Sequence, residues 1–422
     1  MKVLEAWLEG RHVGRFWQTD GIRTAFEYDE PNGLLISASL ARDGSWSAQA
    51  PARFLDNLLP DRAETRRRMA YDTGASSADV FDLLEKVGTD VAGGLVLTPE
   101  GVEPFVEDTP LVRATDDEIA YRIDQLKRDQ DMWLDPEVKA RFSLAGAQAK
   151  FALARVADEW YWSSANLPST HILKPGSPRT PDAEQIEVAS MRLSRSVGIP
   201  TPHASVLEVY GQSAYMVARF DREPDGDTVR RIHTEDFAQA AGQGPDAKYA
   251  MAAHQAVKLL RTVDLSDTLG YQFVNRLAFS TSIANADAHA KNYSLMIRPE
   301  GVTLAPAYDV LVTTYWDYVD ERLAMRIGGA SRSAEVTAHH WAKLARSSGL
   351  DEDRVVHIAV EMSAAVVDLL DDATSDLPSQ TRDKVRSIVR QANTGMSRRR
   401  AHDNDPATSE TPSSRGTQDG VS

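Results

Sequence analysis

One polar stretch decides the fold: Asn285-Ala286-Asp287-Ala288-His289-Ala290-Lys291-Asn292. Asp287 precedes Asn292 by five positions, and Asp309 follows after one more strand-like segment. ATP-dependent phosphoryl transfer uses an Asp, four intervening residues, an Asn and a later Asp. The first carboxylate meets the attacking hydroxyl, while the amide and the later carboxylate hold Mg²⁺ on the phosphates. The pattern therefore indicates a phosphotransferase, with an ordinary polar loop after a helix as the alternative.

The composition is typical of a soluble globular protein of two or three domains, with 422 residues, 42% hydrophobic and 26% charged. The formal net charge is −15, and the tail from Met396 contributes nothing because its four arginines are balanced by four carboxylates. The folded body is therefore acidic and repels phosphate backbones. This disfavours direct nucleic-acid binding as the main function.

The chain contains no cysteine, which excludes disulfides, thiolate metal sites and a cysteine nucleophile. No apolar run of about 18 residues occurs without a charge, so we expect no membrane span. Glu5 arrives too early for a signal peptide. We therefore expect a cytoplasmic location.

The first part of the chain predicts an α+β unit of about 100 residues. Strands are predicted at 2–8, 24–28, 34–40 and 93–97, and helices at 54–60, 61–71 and around 80–84. The polar residues of this unit are scattered and its apolar residues suit a core, so it predicts no chemistry. Residues 101–140 form a charged, partly helical connector.

A turn of small residues, 143–150 (SLAGAQAK), runs into the apolar strand 151–156. Such a turn lets backbone N–H groups approach phosphate oxygens. It holds one glycine and is not a G-x-G-x-x-G loop, so an ordinary hairpin is the alternative.

Lys174 ends the apolar strand 170–175, although burying an unpaired ammonium is costly. In a kinase this lysine pairs with the α/β-phosphates, and a glutamate on the following helix orients it. Glu187 lies on such a helix, 181–197. The alternatives are an edge lysine, which Pro175 favours, and an ordinary exposed glutamate.

The composition shifts from strands to helices near residue 221. A hairpin, 204–209 and 214–220, precedes Asp221, after which we predict almost only helices, one of them capped by Thr234, and a small hairpin at 295–304. This shift favours a two-lobed kinase with its hinge at 217–222. Residues from about 394 onward are rich in Ser, Thr, Asp, Gly and Arg, and we expect them to be disordered.

Together these motifs resemble the HipA-like serine/threonine toxin kinases of bacterial type II toxin–antitoxin systems. The similarity covers roughly residues 1–390. The matching stretches are 54–60 (FLDNLLP), 88–94 (GTDVAGG), 143–150 (SLAGAQAK), 170–175 (THILKP), 198–202 (GIPTP), 219–222 (RFDR), 232–237 (IHTEDF), 285–292 (NADAHAKN) and 304–310 (LAPAYDV).

The resemblance implies an α+β fold, with a protein-kinase-like two-lobed core, an extra N-terminal α/β domain and a mostly helical C-terminal lobe. The expected parts are an N-terminal HipA-type domain (1–105), a connector (106–140), a nucleotide-binding N-lobe (141–220), a helical catalytic C-lobe (221–393) and the tail (394–422).

The resemblance also implies ATP and Mg²⁺ as cofactors and assigns the site residues. Asp287 and Lys174 would be catalytic, Glu187 would support Lys174, and Asn292 and Asp309 would be the metal ligands. The residues expected to bind ATP are Leu144, Ala145, Gly146, Ala147, Gln148, Lys150, Lys174, Ala218, Phe220, His289, Lys291, Asn292 and Tyr308. Many relatives carry Glu at the position of Ala218, and we expect His289 to organise its loop by hydrogen bonding to the backbone or to Asp309.

Ser143 occupies the position of the family's inhibitory autophosphorylated serine. A phosphate there adds a charge of about −1.5 to −2 beside the nucleotide phosphates and should eject the loop. In well-known members the protein substrate is an aminoacyl-tRNA synthetase. The partner is a small helix-turn-helix antitoxin, HipB-like, that binds operator DNA, so DNA association would be indirect.

Two further functions remain open. A small-molecule phosphotransferase shares the Asp-x4-Asn pattern, although the N-terminal unit and the Ser143 loop argue against it. A non-catalytic co-repressor that only holds an antitoxin belongs to a different class. The presence of Asp287, Asn292, Asp309 and Lys174 argues against this second alternative.

Overall fold

A computed structural model describes residues 1–19, 23–30, 33–104, 111–134, 142–225 and 228–396. The N-terminal domain consists of β1 (Lys2–Leu8), β2 (Arg11–Thr19), β3 (Arg23–Tyr28), α1 (Ala50–Asp56), α2 (Ala63–Thr73), α3 (Val80–Val87) and β4 (Val96–Pro99). Its antiparallel sheet has the order β3-β2-β1-β4. Alternate residues of β1, Leu4, Ala6 and Leu8, are buried, as expected for a strand with one face on the core.

The strand predicted at 34–40 is wrong. This segment forms bends and turns, although Ile36 and Leu40 are fully buried. The Tyr28 hydroxyl organises it, because it donates to Leu40 O at 2.9 Å and accepts from the Ile36 N–H at 3.1 Å. An apolar run can therefore be buried without pairing as a strand.

The N-lobe is a five-stranded antiparallel sheet with the order β6-β5-β7-β9-β8. Its elements, with the helix of the connector, are α4 (Asp116–Arg128), β5 (Phe151–Val156), β6 (Glu159–Trp162), β7 (His171–Lys174), α5 (Ala183–Ser196), β8 (Ala204–Val209) and β9 (Gln212–Ala218). α4 begins at a capping box in which Thr115 and Glu118 satisfy each other's backbone N–H groups. β7 lies between β5 and β9, so the alternative of Lys174 on an edge strand is wrong.

The C-lobe contains more strands than the sequence predicted. Its elements are β10 (Arg222–Asp225), β11 (Thr228–Arg231), β12 (His233–Asp236), α6 (Phe237–Ala240), α7 (Ala253–Val263), α8 (Thr268–Ser282), β13 (Ser294–Arg298), β14 (Gly301–Leu304), β15 (Arg322–Ile327), β16 (Ala330–Arg332), α9 (Ala338–Ser348), α10 (Glu352–Ala373) and α11 (Ser379–Ala392). β structure therefore does not end at Asp221. Thr234 lies inside β12, and the cap of α6 is Asp236, whose side chain accepts from the Gln239 N–H at 2.8 Å.

Among the described residues the buried apolar side chains form two large cores and one small cluster, and each large core joins elements of different predicted domains. The N-terminal domain, α4 and much of the N-lobe sheet share one core, which includes Phe54, Ile123 and Leu153. α5 packs instead with the C-lobe helices through Ile186 and Leu193. The N-lobe is therefore packed against the N-terminal domain through its sheet and against the C-lobe through α5.

Residues 394–396 are helical. Met396 is buried in the C-lobe core, which contradicts the disorder expected from residue 394. The rest of that tail, 397–422, lies outside the described residues. Over the ranges that the structure describes, none of the helices combines the length and the apolar character that crossing a membrane requires.

A buried cluster of four charges fixes the hinge to the N-terminal domain. Arg222 Nη2 lies 3.0 Å from Asp90 Oδ1, and Arg219 Nη2 lies 2.7 Å from Asp221 Oδ2. Burial alone would raise the pKa of the Asp221 carboxyl, but the two guanidinium groups hold it well below its usual range. Removing one member would leave its partners charged and buried, which is strongly destabilising.

Candidate active site

A cleft of about 400 Å³ lies between the N-lobe sheet and the C-lobe, and it brings nearly all the predicted residues together. The predicted residues that line it are Leu144, Ala145, Gly146, Ala147, Gln148, Lys150, Lys174, Ala218, Phe220, Asp287, His289, Lys291, Asn292, Tyr308 and Asp309. Glu187 and Ser143 are buried outside the lining.

Lys174 joins the two lobes by ion pairs. Its Nζ lies 2.9 Å from Glu187 Oε1 on α5 and 2.6 Å from Asp309 Oδ1 in the C-lobe. Burial alone would lower the pKa of Lys174, but the two carboxylates raise it above its usual range. Glu187 is only 3% exposed, so the alternative of an ordinary surface glutamate is wrong.

Asp309 and Asn292 offer an oxygen set suited to Mg²⁺. Asn292 Nδ2 donates to Asp309 Oδ2 at 2.8 Å, and Asn292 Oδ1 is buried without a hydrogen-bond partner among the described residues. Lys174 lowers the pKa of Asp309 below its usual range, so this carboxylate stays ionised. Carboxylate and amide oxygens are ligands that Mg²⁺ prefers, and the residues present therefore fit the ion.

The backbone at Asp309 is left-handed, with φ of 56°. Asp and Asn adopt this region more readily than other residues that have a Cβ, because their short polar side chains bond locally. Asp309 lies at a bend in the segment that follows β14. Both the carboxylate and the bend therefore require a residue of this type.

Asp287 lies in the loop after α8, and its backbone N–H donates to Asn285 Oδ1 at 3.2 Å. The carboxylate is exposed to the cleft and accepts a hydrogen bond from the Tyr249 hydroxyl at 2.7 Å. An exposed carboxylate at the mouth of a cleft is accessible to a hydroxyl that enters from solvent.

The expected role of His289 is wrong in part. Its Nδ1 is buried without a hydrogen-bond partner in the part of the chain that the structure describes, so this nitrogen bonds neither the backbone nor Asp309. The ring contacts Tyr249 edge-on, with centroids 5.1 Å apart. Burial lowers the pKa of His289 and favours the neutral imidazole.

The turn 143–150 is bound to the N-terminal domain and is not a free hairpin. The Asp61 N–H donates to Gly146 O at 3.0 Å. Lys150 Nζ donates to Ala145 O at 2.8 Å and lies 5.0 Å from the centre of the Trp133 ring. Burial, together with the nearby charge of Lys174, lowers the pKa of Lys150 to about 8.

Ser143, the first residue of this turn, is fully buried. Its Oγ donates to Leu58 O at 2.7 Å, and its N–H donates to Asp90 O at 2.9 Å. The hydroxyl is therefore inaccessible to a phosphoryl donor unless the turn leaves the N-terminal domain.

Hinge residues 217–221 line the cleft. The Ala218 N–H donates to His203 O at 2.9 Å and the Arg219 N–H donates to Thr170 O at 2.8 Å, so these two amides are already used within the fold. Phe220 stacks on Tyr308 with ring centroids 5.2 Å apart. The Tyr308 hydroxyl donates to Lys291 O at 2.7 Å and supports the catalytic loop.

The residues of the site that the sequence reasoning missed include Asn57, Asp61, Lys248 and Tyr249. Lys291 Nζ lies 3.0 Å from Asn57 Oδ1 and 3.3 Å from Asp61 Oδ1, and Lys248 Nζ lies 2.9 Å from Asp61 Oδ2. Burial opposes ionisation of Asp61, but Lys291 and Lys248 lower its pKa to about 2. The one available sequence signal was the family-like stretch 54–60, which we interpreted as core.

The comparisons with known proteins agree on one family. The HipA-like C-terminal domain matches residues 142–370, and the HipA N-terminal domain matches residues 4–98. The chain belongs to the HipA family. A Sinorhizobium fredii protein named "Putative kinase Y4mE" is 34% identical over 402 residues, which cover 89% of this chain and 94% of that protein.

Other HipA proteins extend this result. The serine/threonine-protein kinase toxin HipA of Shewanella oneidensis is 26% identical over 85% of this chain and 86% of that protein. The solved Shewanella oneidensis MR-1 structure of HipA, HipB and operator DNA has a TM-score of 0.80 at 23% identity, and covers 94% of this chain and 97% of that one. The predictions of a kinase enzyme and of an α+β, kinase-like HipA fold are confirmed.

Proposed function

We propose that this HipA-family kinase transfers the γ-phosphoryl group of ATP to a serine or threonine hydroxyl of a cellular protein, as the toxin of a toxin–antitoxin module. The observation that carries the proposal is the convergence of Lys174, Asn292 and Asp309 behind the accessible carboxylate of Asp287 in one cleft, with Glu187 paired to Lys174 beneath it. The kinase relatives imply ATP as the phosphoryl donor.

In the proposed reaction Asp287 accepts the proton of the acceptor hydroxyl. The acceptor oxygen bonds to the γ-phosphorus, the bond from that phosphorus to the β-phosphate oxygen breaks, and ADP leaves. Lys174, held ionised by its two carboxylates, binds the α/β-phosphates, while Asn292 and Asp309 would hold Mg²⁺. The metal ion, when bound, supplies charge neutralisation on the phosphates.

We further propose that Ser143 is an autophosphorylation site of the phosphate turn. The burial of its hydroxyl against Leu58 O implies that the turn must leave the N-terminal domain first. A phosphoserine carries about −1.5 to −2 charges and would not fit beneath the turn, because burying an unpaired charge is costly. The modification would therefore keep the turn out and inhibit the kinase.

A small helix-turn-helix antitoxin, HipB-like, is the proposed partner, with operator DNA bound through it. The support is the fold likeness to a HipA solved with HipB and operator DNA, together with the net charge of −15 on this chain. An aminoacyl-tRNA synthetase as target, and action in the cytoplasm, rest on the family resemblance alone. The small-molecule phosphotransferase and the co-repressor have no specific observation in their favour.

The deciding experiment incubates phosphatase-treated protein with Mg²⁺ and γ-labelled ATP, and compares Asp287→Asn and Ser143→Ala. Asp287→Asn should incorporate label at least about 100-fold more slowly, because a positioned base contributes that much, and should still bind ATP. Label lost in Ser143→Ala but kept in wild type would support the modification site. Labelling of Asp287→Asn at the wild-type rate would contradict the assigned base.

A further inference from the structure

The side chain that is hydrogen-bonded to the Asp287 carboxylate comes from outside the predicted site. Tyr249, in the segment between α6 and α7, donates its hydroxyl to Asp287 Oδ1 at 2.7 Å. Within the described part of the chain, no hydrogen bond ends on the second oxygen, Oδ2. The tyrosine therefore takes one oxygen of the carboxylate and leaves the other available.

Tyr249 is fixed to the catalytic loop by contacts that do not depend on its hydroxyl. The Ala290 N–H donates to the backbone carbonyl of Lys248 at 3.1 Å. The Tyr249 ring lies edge-on to His289 at 5.1 Å, and Lys248 Nζ pairs with Asp61 at 2.9 Å. A ring held in this way can orient the Asp287 carboxylate.

A second groove, of about 660 Å³, opens on the side of Asp287 where Tyr249 lies. It is lined by Tyr249, Asp287, Trp316, Tyr318, Val319 and Arg322, among others. Asp287 lines both this groove and the nucleotide cleft, whereas the described lining of the cleft does not include Tyr249. The tyrosine therefore belongs to the side from which an acceptor hydroxyl can reach the carboxylate while ATP occupies the cleft.

We propose that Tyr249 is a positioning residue of the protein-acceptor site. It holds Asp287 Oδ1 so that Oδ2 is the oxygen that takes the proton of the acceptor hydroxyl. This inference rests on the proposed function, because it assumes that Asp287 is the base. The pKa of Tyr249 is raised by burial and by its hydrogen bond to Asp287, so the tyrosine remains the donor across the neutral range.

The test replaces the hydroxyl alone. Tyr249→Phe keeps the ring contact with His289 and removes the hydrogen bond. Tyr121→Phe is the matched control, because Tyr121 is 59% exposed on α4 and lines neither the groove nor the cleft. The measurement is the initial rate of label incorporation into phosphatase-treated protein from Mg²⁺ and γ-labelled ATP, as a function of ATP concentration.

Tyr249→Phe should lower the maximal rate about tenfold, because one hydrogen bond to a charged group is lost, and should leave the KM for ATP unchanged. A residue with a merely structural role would not lower the maximal rate alone, because a loosened fold would also change the KM for ATP. Tyr121→Phe should change neither quantity, and the thermal midpoints of both variants should match wild type.

The outcomes separate this inference from the proposed function. If Tyr249→Phe labels at or above the wild-type rate, while Asp287→Asn stays unlabelled, the role of Tyr249 is overturned and the kinase assignment stands. If Asp287→Asn labels as wild type does, Asp287 is not the base, and this inference fails together with that part of the proposed function. A rise in the KM for ATP of Tyr249→Phe would also overturn it, because it would place Tyr249 on the nucleotide side.

Discussion

Lys174 is the residue at which the two lobes meet through charge. It is 8% exposed and contacts carboxylates of both lobes, Glu187 on α5 and Asp309 after β14. A buried ion pair is weak evidence for added stability, but breaking one by removing a single partner is costly. The Lys174–Glu187 pair should therefore behave as a unit when it is mutated.

We predict that Lys174→Met lowers the free energy of unfolding by about 3 kcal/mol, because Glu187 is left buried without the partner that offsets the cost of its burial. The double variant Lys174→Met/Glu187→Gln should recover most of this loss. The measurement is the free energy of unfolding in urea of wild type, Lys174→Met, Glu187→Gln and the double variant, which together form a double-mutant cycle. Lys384→Met is the control, since the Lys384–Asp317 pair is exposed and should contribute less than about 1 kcal/mol. Additive costs in the cycle would contradict the coupling.

At the scale of elements, the phosphate turn is shaped by one glycine. Gly146 has φ of 106°, and a Cβ placed there would lie 2.9 Å from Lys150 Nζ. The turn is also held from the N-terminal domain by the Asp61 N–H. A side chain at Gly146 should therefore displace Lys150 from the cleft.

We predict that Gly146→Ala raises the KM for ATP about tenfold and lowers the free energy of unfolding by about 1 kcal/mol. Gly211→Ala is the matched control, because Gly211 has φ of 77° in the β8–β9 turn with no atom within 4 Å of the added Cβ. It should show the stability loss without the kinetic effect. Equal KM values in the two variants would show that Lys150 does not need its present position.

The elements also show which parts of the fold the sequence could predict. β5, β7, α5 and the β8–β9 hairpin were predicted because each has a continuous apolar pattern and a clear turn or cap. β10 and β11 were missed because Arg222–Asp225 and Thr228–Arg231 are short and charged. Among the residues that the structure describes, they pair with each other and with no third strand. Their hydrogen bonds depend on a partner strand that no local pattern reveals.

The residues of the candidate site also fall into those that the sequence could predict and those that it could not. Residues within continuous motifs, such as Asp287 and Asn292, were found from spacing alone. Asp61, Lys248 and Tyr249 were missed because each reaches the cleft from a distant segment, and a single charged or aromatic residue there has no distinguishing spacing. Long-range packing, which positions these three side chains, is not encoded in a short window of sequence.

At the scale of the whole molecule, the N-terminal domain contacts the hinge, the phosphate turn and the C-lobe. One of its contacts to the C-lobe is a buried carboxyl, Glu235 on β12, which accepts from Ser37 Oγ at 2.5 Å and from the Ala38 N–H at 2.9 Å. Burial raises the pKa of Glu235 to about 7. This contact therefore titrates within the physiological range.

The raised pKa of Glu235 makes the free energy of unfolding depend on pH. The folded state binds more protons at Glu235 than the unfolded state does, so the contribution of Glu235 is most favourable below pH 4.5 and is lost as the pH rises toward about 7. We predict that wild type loses about 2 kcal/mol relative to Glu235→Gln between pH 5 and pH 8. Unfolding in urea at each pH measures the difference, with the exposed Glu208→Gln as control. A constant difference would contradict the shifted carboxyl.

The left-handed backbone at Asp309 affects how genetic experiments on this protein should be designed. An alanine at φ of 56° removes the carboxylate and also strains the chain, at a cost of about 1 kcal/mol or more. A cell carrying Asp309→Ala could then lose its growth phenotype because less protein accumulates, whether or not the chemistry has failed. Asp309→Asn keeps the tolerated backbone and removes only the charge. This asparagine variant, with its cellular abundance measured, is the appropriate inactive reference for work in living cells.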